Sequence, residues 1–264
     1  IVHLSCDVLG PAHLMAGHMS VPVALAIVGL YPLVFSLGEF AVEFRRVRYI
    51  QEAALGERGT RTPILLIRHG QTPWNVAGIW QGQADVGLTE EGEQQARAVA
   101  ADLASQSTRP WKRICASDLQ RARRTAETIG EALGLEVETD PRMRERDAGK
   151  WSGHTKAEIE KTDAETLAAF REGDPDVRPG GVGETTHEVR ARALAALADL
   201  VSRAPGEPAI LVSHLGWIRT LVPDANADNG GCTEVIAEEV LRQWEGSASI
   251  NQATARSGDA NSIL

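Results

Sequence analysis

Three short apolar runs, each cut off by polar residues, constrain this chain more than any other feature of its sequence. ILLI (64–67) stops at Arg68-His69-Gly70, RICAS (113–117) runs into Asp118, and AILVS (209–213) stops at His214. Short uncharged runs of this kind suit strands covered on both faces of a parallel sheet. The segments between them read as helices. In LTEEGEQQARAVAADLASQ (88–106), Thr89 can cap, acidic residues fill the first turn, and Ala96, Val99, Ala100 and Leu103 form one apolar stripe. DLQRARRTAETIGEALG (118–134) stops at Gly134, HTKAEIEKTDAETLAAFREG (154–173) at Gly173, and ETTHEVRARALAALADLVSRA (184–204) just before PGEP. LEVETD (135–140) reads as a short alternating strand and CTEVIAEE (232–239) as a further one near an edge. Strands alternating with helices predict an α/β protein, a three-layer α/β/α sandwich around a mostly parallel sheet.

That pattern occupies residues 61–245, and the flanks differ from it. Residues 21–37 carry no charge, are interrupted by Pro22 and Pro32, and are followed by Arg45, Arg46 and Arg48. A spanning helix needs about 20 apolar residues, and no Lys or Arg precedes the run as a secretory signal requires. Residues 1–60 are therefore expected to be a leader and linker rather than an anchor. Were residues 20–42 to attach to a membrane, the basic flank would hold the following domain in the cytoplasm. A cytoplasmic protein is expected either way. Residues 246–264 are rich in Ser, Ala and Asn and read as a flexible tail.

Charge and cysteine content narrow the partners. Lys and Arg number 27 against 36 Asp and Glu, a formal net charge of −9. An acidic protein repels a nucleic-acid backbone, so nucleic acid is not an expected partner. A basic cluster in such a chain is local, as in a pocket for a small anion. Cys6, Cys115 and Cys232 show no metal-binding or disulfide spacing, which fits a reducing compartment, with Cys115 a core thiol.

Functional groups in open α/β sheets gather beyond the carboxyl ends of the strands. If the three runs are neighbours, His69, His214, Arg68 and Arg121 meet at one rim. Two guanidinium groups there suit a multiply charged oxyanion such as phosphate, and the first turn of the following helix adds N–H donors. Gly70 would let backbone approach such a ligand closely. A neutral imidazole is a competent nucleophile toward phosphorus, and neighbouring arginines favour its neutral form. A leaving alkoxide needs a proton, and Glu145 and Asp147 in MRERDAGKW are the carboxylates on hand. A zinc set built from His69, His214 and Glu145 is the rival reading; Arg68 and Arg121 beside a dication disfavour it.

These residues fall into ordered motifs. Arg68-His69-Gly70-Gln71-Thr72-Pro73-Trp74-Asn75 resembles the RHGxTxWN signature of the histidine phosphatase superfamily, in its phosphoglycerate-mutase-like branch. GIWQGQADVGLTEEGEQQA (78–96), SDLQRARRTAET (117–128), MRERDAGKWSG (143–153) and LVSHLGWIR (211–219) resemble the segments that follow it in that family, over about residues 62–240. The resemblance implies a phosphoglycerate-mutase-like fold and a phosphatase acting on phosphate monoesters without metal or cofactor. His69 would be the phosphorylated nucleophile, with Arg68, Arg121 and His214 lining the phosphate pocket. Glu145 would be proton donor and later base, and Asn75 and Gln81 auxiliary phosphate contacts.

Within that resemblance, Leu215 stands where the family usually has Gly, and the short stretch from Gly216 to Asn229 implies a reduced last helix. Glu145 and His214 lie 214 − 145 = 69 positions apart, a span resembling the phosphatases rather than the mutases, whose longer insertion closes the site. The expected substrate is a small phosphorylated metabolite or a phosphoprotein. The alternatives are a phosphoglycerate mutase and a weakly active phospho-ligand binding module. Glu184 reads as a helix-start residue, and Trp74, Trp80 and Trp151 as packing or mouth-shaping aromatics.

Overall fold

The computed structural model describes residues 60–106, 111–226 and 228–244. The expected leader, but for Thr60, and the expected tail lie outside the described residues. Five strands form one sheet: β1 (Pro63–Arg68), β2 (Arg113–Ala116), β3 (Val137–Thr139), β4 (Ala209–Ser213) and β5 (Cys232–Ile236). Their order is β3-β2-β4-β1-β5. All neighbours pair in parallel except β5, which runs antiparallel to β1 at the edge. The three apolar runs are thus adjacent central strands, with β4 in the middle. Arg68 stands level with Ser213, and Ala116 with Val212.

Both faces of these strands are buried, with a period of two. Ile64, Leu66, Cys115, Ala209 and Leu211 face one core, and Leu65, Ile67, Ile114, Ala116, Ile210 and Val212 the other. The second core is closed by α2 (Glu90–Ser105) and α3 (Gln120–Leu133), through Ala100, Leu103, Ala122, Ala126 and Ile129. The first is closed by α6 (Thr186–Arg203), α7 (Leu215–Leu221) and helical residues 237–244, with Leu197, Trp217 and Leu241 fully buried. Each such large apolar side chain contributes about 1.5–3 kcal/mol of transfer free energy, so the two helix layers hold the sheet from both sides. The remaining helices are α1 (Pro73–Val76), α4 (Lys156–Thr162) and α5 (Ala164–Glu172).

Local signals decide most helix ends. The Thr89 hydroxyl accepts from Gly92 N, Gly134 ends α3 at φ 69°, and Gly173 ends α5 at φ 84°. The single helix expected over 154–173 is instead two. Asp163 breaks it at φ −152° and ψ 48°, and its carboxylate accepts from Trp151 Nε1 at 2.7 Å. A tertiary hydrogen bond to a buried indole outweighs one helical turn. That break lets Trp151 and Phe170 pack edge to face with Trp80 in a third, smaller cluster with Ile159 and Leu167. The expected strand 232–239 also stops early, at Ile236. Buried Glu238 turns into helical residues 237–244 and accepts from Thr62 N and Thr62 Oγ1 at 2.9 and 2.6 Å. Among the described residues no helix is long and apolar enough to cross a membrane.

Candidate active site

The carboxyl end of β4 is the hub of the site. Its last two carbonyls and its terminal side chain bind three other segments. Ser213 O accepts from His69 N and Val212 O from Ser117 N, both at 3.0 Å, and Ser213 Oγ donates to Met143 O at 2.7 Å. Those bonds draw the ends of β1, β2 and the 142–148 loop to one point. His69, Ser117, Arg121 and His214 are all buried there, and the two imidazole rings lie 5.1 Å apart, centroid to centroid.

Hydrogen bonds assign the protons. His69 Nδ1 lies 2.7 Å from Gly70 O, which can only accept, so Nδ1 carries the hydrogen and Nε2 the lone pair. His214 has the opposite arrangement. Its Nδ1 accepts from Arg121 Nε at 3.2 Å, which leaves Nε2–H to donate to Ser117 Oγ at 2.9 Å. Burial, then the Arg121 charge, holds both rings well below the usual histidine range, so both are neutral at physiological pH. Burial also lowers Arg121, to about 10, against the upward pull of Glu145; the guanidinium therefore stays charged.

Arg121 does more than line a pocket. Its Nη1 donates to Ala84 O at 2.7 Å and its Nη2 to Gly82 O at 2.8 Å, so it also pins the loop after Gln81. Asp85 closes the same loop onto α3 by accepting from Gln120 N. Gln81, with its Oε1 buried, stands at the start of that loop. Asn75 uses its Oδ1 in the capping box with Thr72 at the start of α1 and takes a further bond from Asn229 Nδ2. Its amide NH₂ is then the end with donors to offer. Asn229, which the sequence did not single out, also donates to His69 O at 3.0 Å.

Gly70 is held by close packing. Its N–H donates to Thr125 Oγ1 at 3.1 Å, and a Cβ there would lie 2.4 Å from Gly92 O. The loop crosses the first turn of α2 there, which by itself requires a residue without a Cβ. Leu215, in turn, costs no backbone strain, because no described non-glycine residue has a positive φ. The glycine the site needs is the next one: a Cβ at Gly216 would lie 2.3 Å from Glu145 Oε1. Glu145 Oε2 accepts from Gly216 N at 3.1 Å and Oε1 from Arg146 N at 2.8 Å. Attraction to Glu145 opposes the lowering that burial imposes on Arg68 and Arg121, so the carboxylate lies within electrostatic reach of both guanidinium groups. Among the described residues no group of three or more His, Cys, Asp or Glu side chains is disposed to hold a metal ion.

Paired neutral imidazoles and a buried guanidinium group beyond the ends of parallel strands define a phosphoryl-binding α/β protein. Sequence comparison fixes the family: the profile of the histidine phosphatase superfamily (branch 1) matches residues 64–229, and the chain belongs to that superfamily. It is similar to a glucosyl-3-phosphoglycerate phosphatase of Mycobacterium tuberculosis, 39% identical over 166 residues, spanning 60% of this chain and 72% of the relative. A probable phosphoglycerate mutase of Enterobacter sp. (strain 638) is 38% identical over 158 residues, 57% of this chain and 68% of its own. Among solved structures, a mycobacterial glucosyl-3-phosphoglycerate phosphatase complexed with VO3 superposes with a TM-score of 0.60 at 35% identity, covering 66% of this chain and 90% of that one.

Proposed function

We propose that the protein is a phosphomonoesterase that works through a phosphohistidine on His69. The observation that carries this reading is the His69 Nδ1–H bond to Gly70 O, which leaves the Nε2 lone pair on a neutral ring beside Arg68 and Arg121. Nε2 attacks the phosphorus, the P–O bond to the alcohol breaks, and the departing alkoxide takes a proton from Glu145. Glu145 then removes a proton from water, the hydroxide displaces the imidazole, and inorganic phosphate leaves. Negative charge on the equatorial oxygens is met by Arg68, by the remaining N–H groups of Arg121, and by His214 Nε2–H, which Ser117 Oγ shares. Asn75 supplies amide donors and Gln81 an amide group at the margin. This chemistry needs no metal.

The expected substrate is a small phosphorylated metabolite. Two of the relatives named above act, by their names, on glucosyl-3-phosphoglycerate, and a phosphorylated organic acid is the first class to try here. Hydrolysis is favoured over transfer because Glu145 is half-buried rather than sealed, so water reaches the phosphoenzyme. The test is an acid-labile phosphate trap. Brief incubation with ³²P-labelled monoester should label the protein, and His69→Ala should abolish the label. Label retained without His69 would refute the nucleophile. Isomerisation of 3-phosphoglycerate that depends on a bisphosphorylated primer, outpacing phosphate release, would favour the mutase.

A further inference from the structure

Glu145 sits in a loop, 144–148, that has no regular secondary structure to fix its backbone. Among the side chains that hold it, one from α6 makes the most bonds to its backbone. Arg192 Nη1 donates to Arg142 O at 2.8 Å and to Arg144 O at 2.5 Å, and Nη2 donates to Glu145 O at 2.9 Å. The remaining two donors go to Glu184, Nε to Oε1 at 2.8 Å and Nη2 to Oε2 at 2.7 Å. A guanidinium has five N–H groups, and all five are engaged. Glu184 extends the grip to the far side of the acid, accepting from Asp147 N at 2.8 Å. Gln83 Nε2 closes the outside, 3.2 Å from Glu145 O and 3.5 Å from Glu184 Oε2. Both partners of the pair are mostly shielded, with side chains 17% and 23% exposed.

We infer that Arg192, orientated by Glu184, is the positioning residue of the proton donor. It holds the backbone on both sides of Glu145 so that the carboxyl stands at the leaving-group oxygen. The inference rests on the reading of Glu145 as general acid. An ordinary stabilising ion pair would contact side chains or solvent. This one directs three of its donors to the carbonyls of Arg142, Arg144 and Glu145, at and just before a single carboxylate. A lysine cannot reproduce the fork, since its three donors radiate from one point. A misplacement of the acid by a fraction of an ångström costs proton transfer and little else.

The experiment compares kcat/KM for an alkyl monoester, glycerol 3-phosphate, with that for 4-nitrophenyl phosphate, whose leaving group departs unprotonated. This ratio reports events up to alcohol departure, so a later role of Glu145 toward water does not enter. Glu145→Gln is expected to lose about 100-fold on the alkyl ester and less than about 3-fold on the aryl ester, the usual span of general acid catalysis. Arg192→Lys and Glu184→Gln should lose about 10-fold on the alkyl ester, again with the aryl ester nearly unchanged. If Arg192→Lys does not fold, Gln83→Ala, which removes only the outer bond, should show the same selectivity at a smaller size. Uniform loss on both esters in the Arg192 or Gln83 variant, with Glu145→Gln selective, overturns the positioning role. Uniform loss in Glu145→Gln overturns the general-acid reading beneath it.

Discussion

Burying two neutral histidines makes stability depend on pH in a defined direction. His69 and His214 are both held well below their ordinary value of 6.5, first by desolvation and then by the Arg121 charge. The unfolded chain protonates these rings as pH falls through 6.5, whereas the folded chain does not. The unfolded state therefore binds more protons below that pH, and stability falls as pH drops. The contribution is fully present above pH 6.5 and is lost below it, until the folded rings themselves protonate. Between about pH 7.5 and about pH 5.5 each ring contributes up to about 1.4 kcal/mol of loss, so the pair contributes about 2.7 kcal/mol. Urea unfolding at a series of pH values measures it. Other groups titrate too, so the decisive quantity is a difference. His69→Asn removes one ring, and the gap in unfolding free energy between parent and variant should shrink by up to about 1.4 kcal/mol across that window. A gap that stays constant, or that widens toward acid, would refute the claim that His69 is buried uncharged.

Other consequences are more local. Gly70→Ala places a methyl against Gly92 O; a stability loss of about 1–3 kcal/mol is expected, read as a lowered Tm, and an unchanged Tm would show that the crossing is looser than described. Asp163→Ala leaves the Trp151 indole N–H without its acceptor, which should cost about 1–3 kcal/mol and change the tryptophan emission of the Trp80–Trp151 pair. Arg121→Lys removes the Nε–H bond that sets the His214 tautomer and both bonds to the loop after Gln81. Phosphatase kcat/KM should fall by about 100-fold or more, and retention of activity in that variant would separate the tautomer from catalysis.

What the sequence determined by itself was everything that depends on neighbours a few positions away. The apolar runs became β1, β2 and β4, the Thr89 cap and the Gly134 and Gly173 stops ended helices where expected, and the short span after Gly216 gave a seven-residue α7. The ordered motifs singled out His69, His214 and Arg121 as candidates, which the fold brings together beyond the strand ends, and Glu145, which meets Gly216 in α7. Tertiary structure decided the rest. Nothing local says that β4 lies between β1 and β2, yet that order is what brings two imidazoles to 5.1 Å. Glu184 and Arg192 are eight positions apart, beyond the three- and four-residue reach of helix neighbours. They meet because Glu184 precedes the α6 cap and folds back onto the 142–147 loop. Asp163 broke an otherwise regular helix to satisfy an indole, and Gly70 packs against the first turn of α2. Periodicity and capping act within one turn or strand, whereas a side chain's final partner is fixed only when distant segments pack and each buried polar group must find its match.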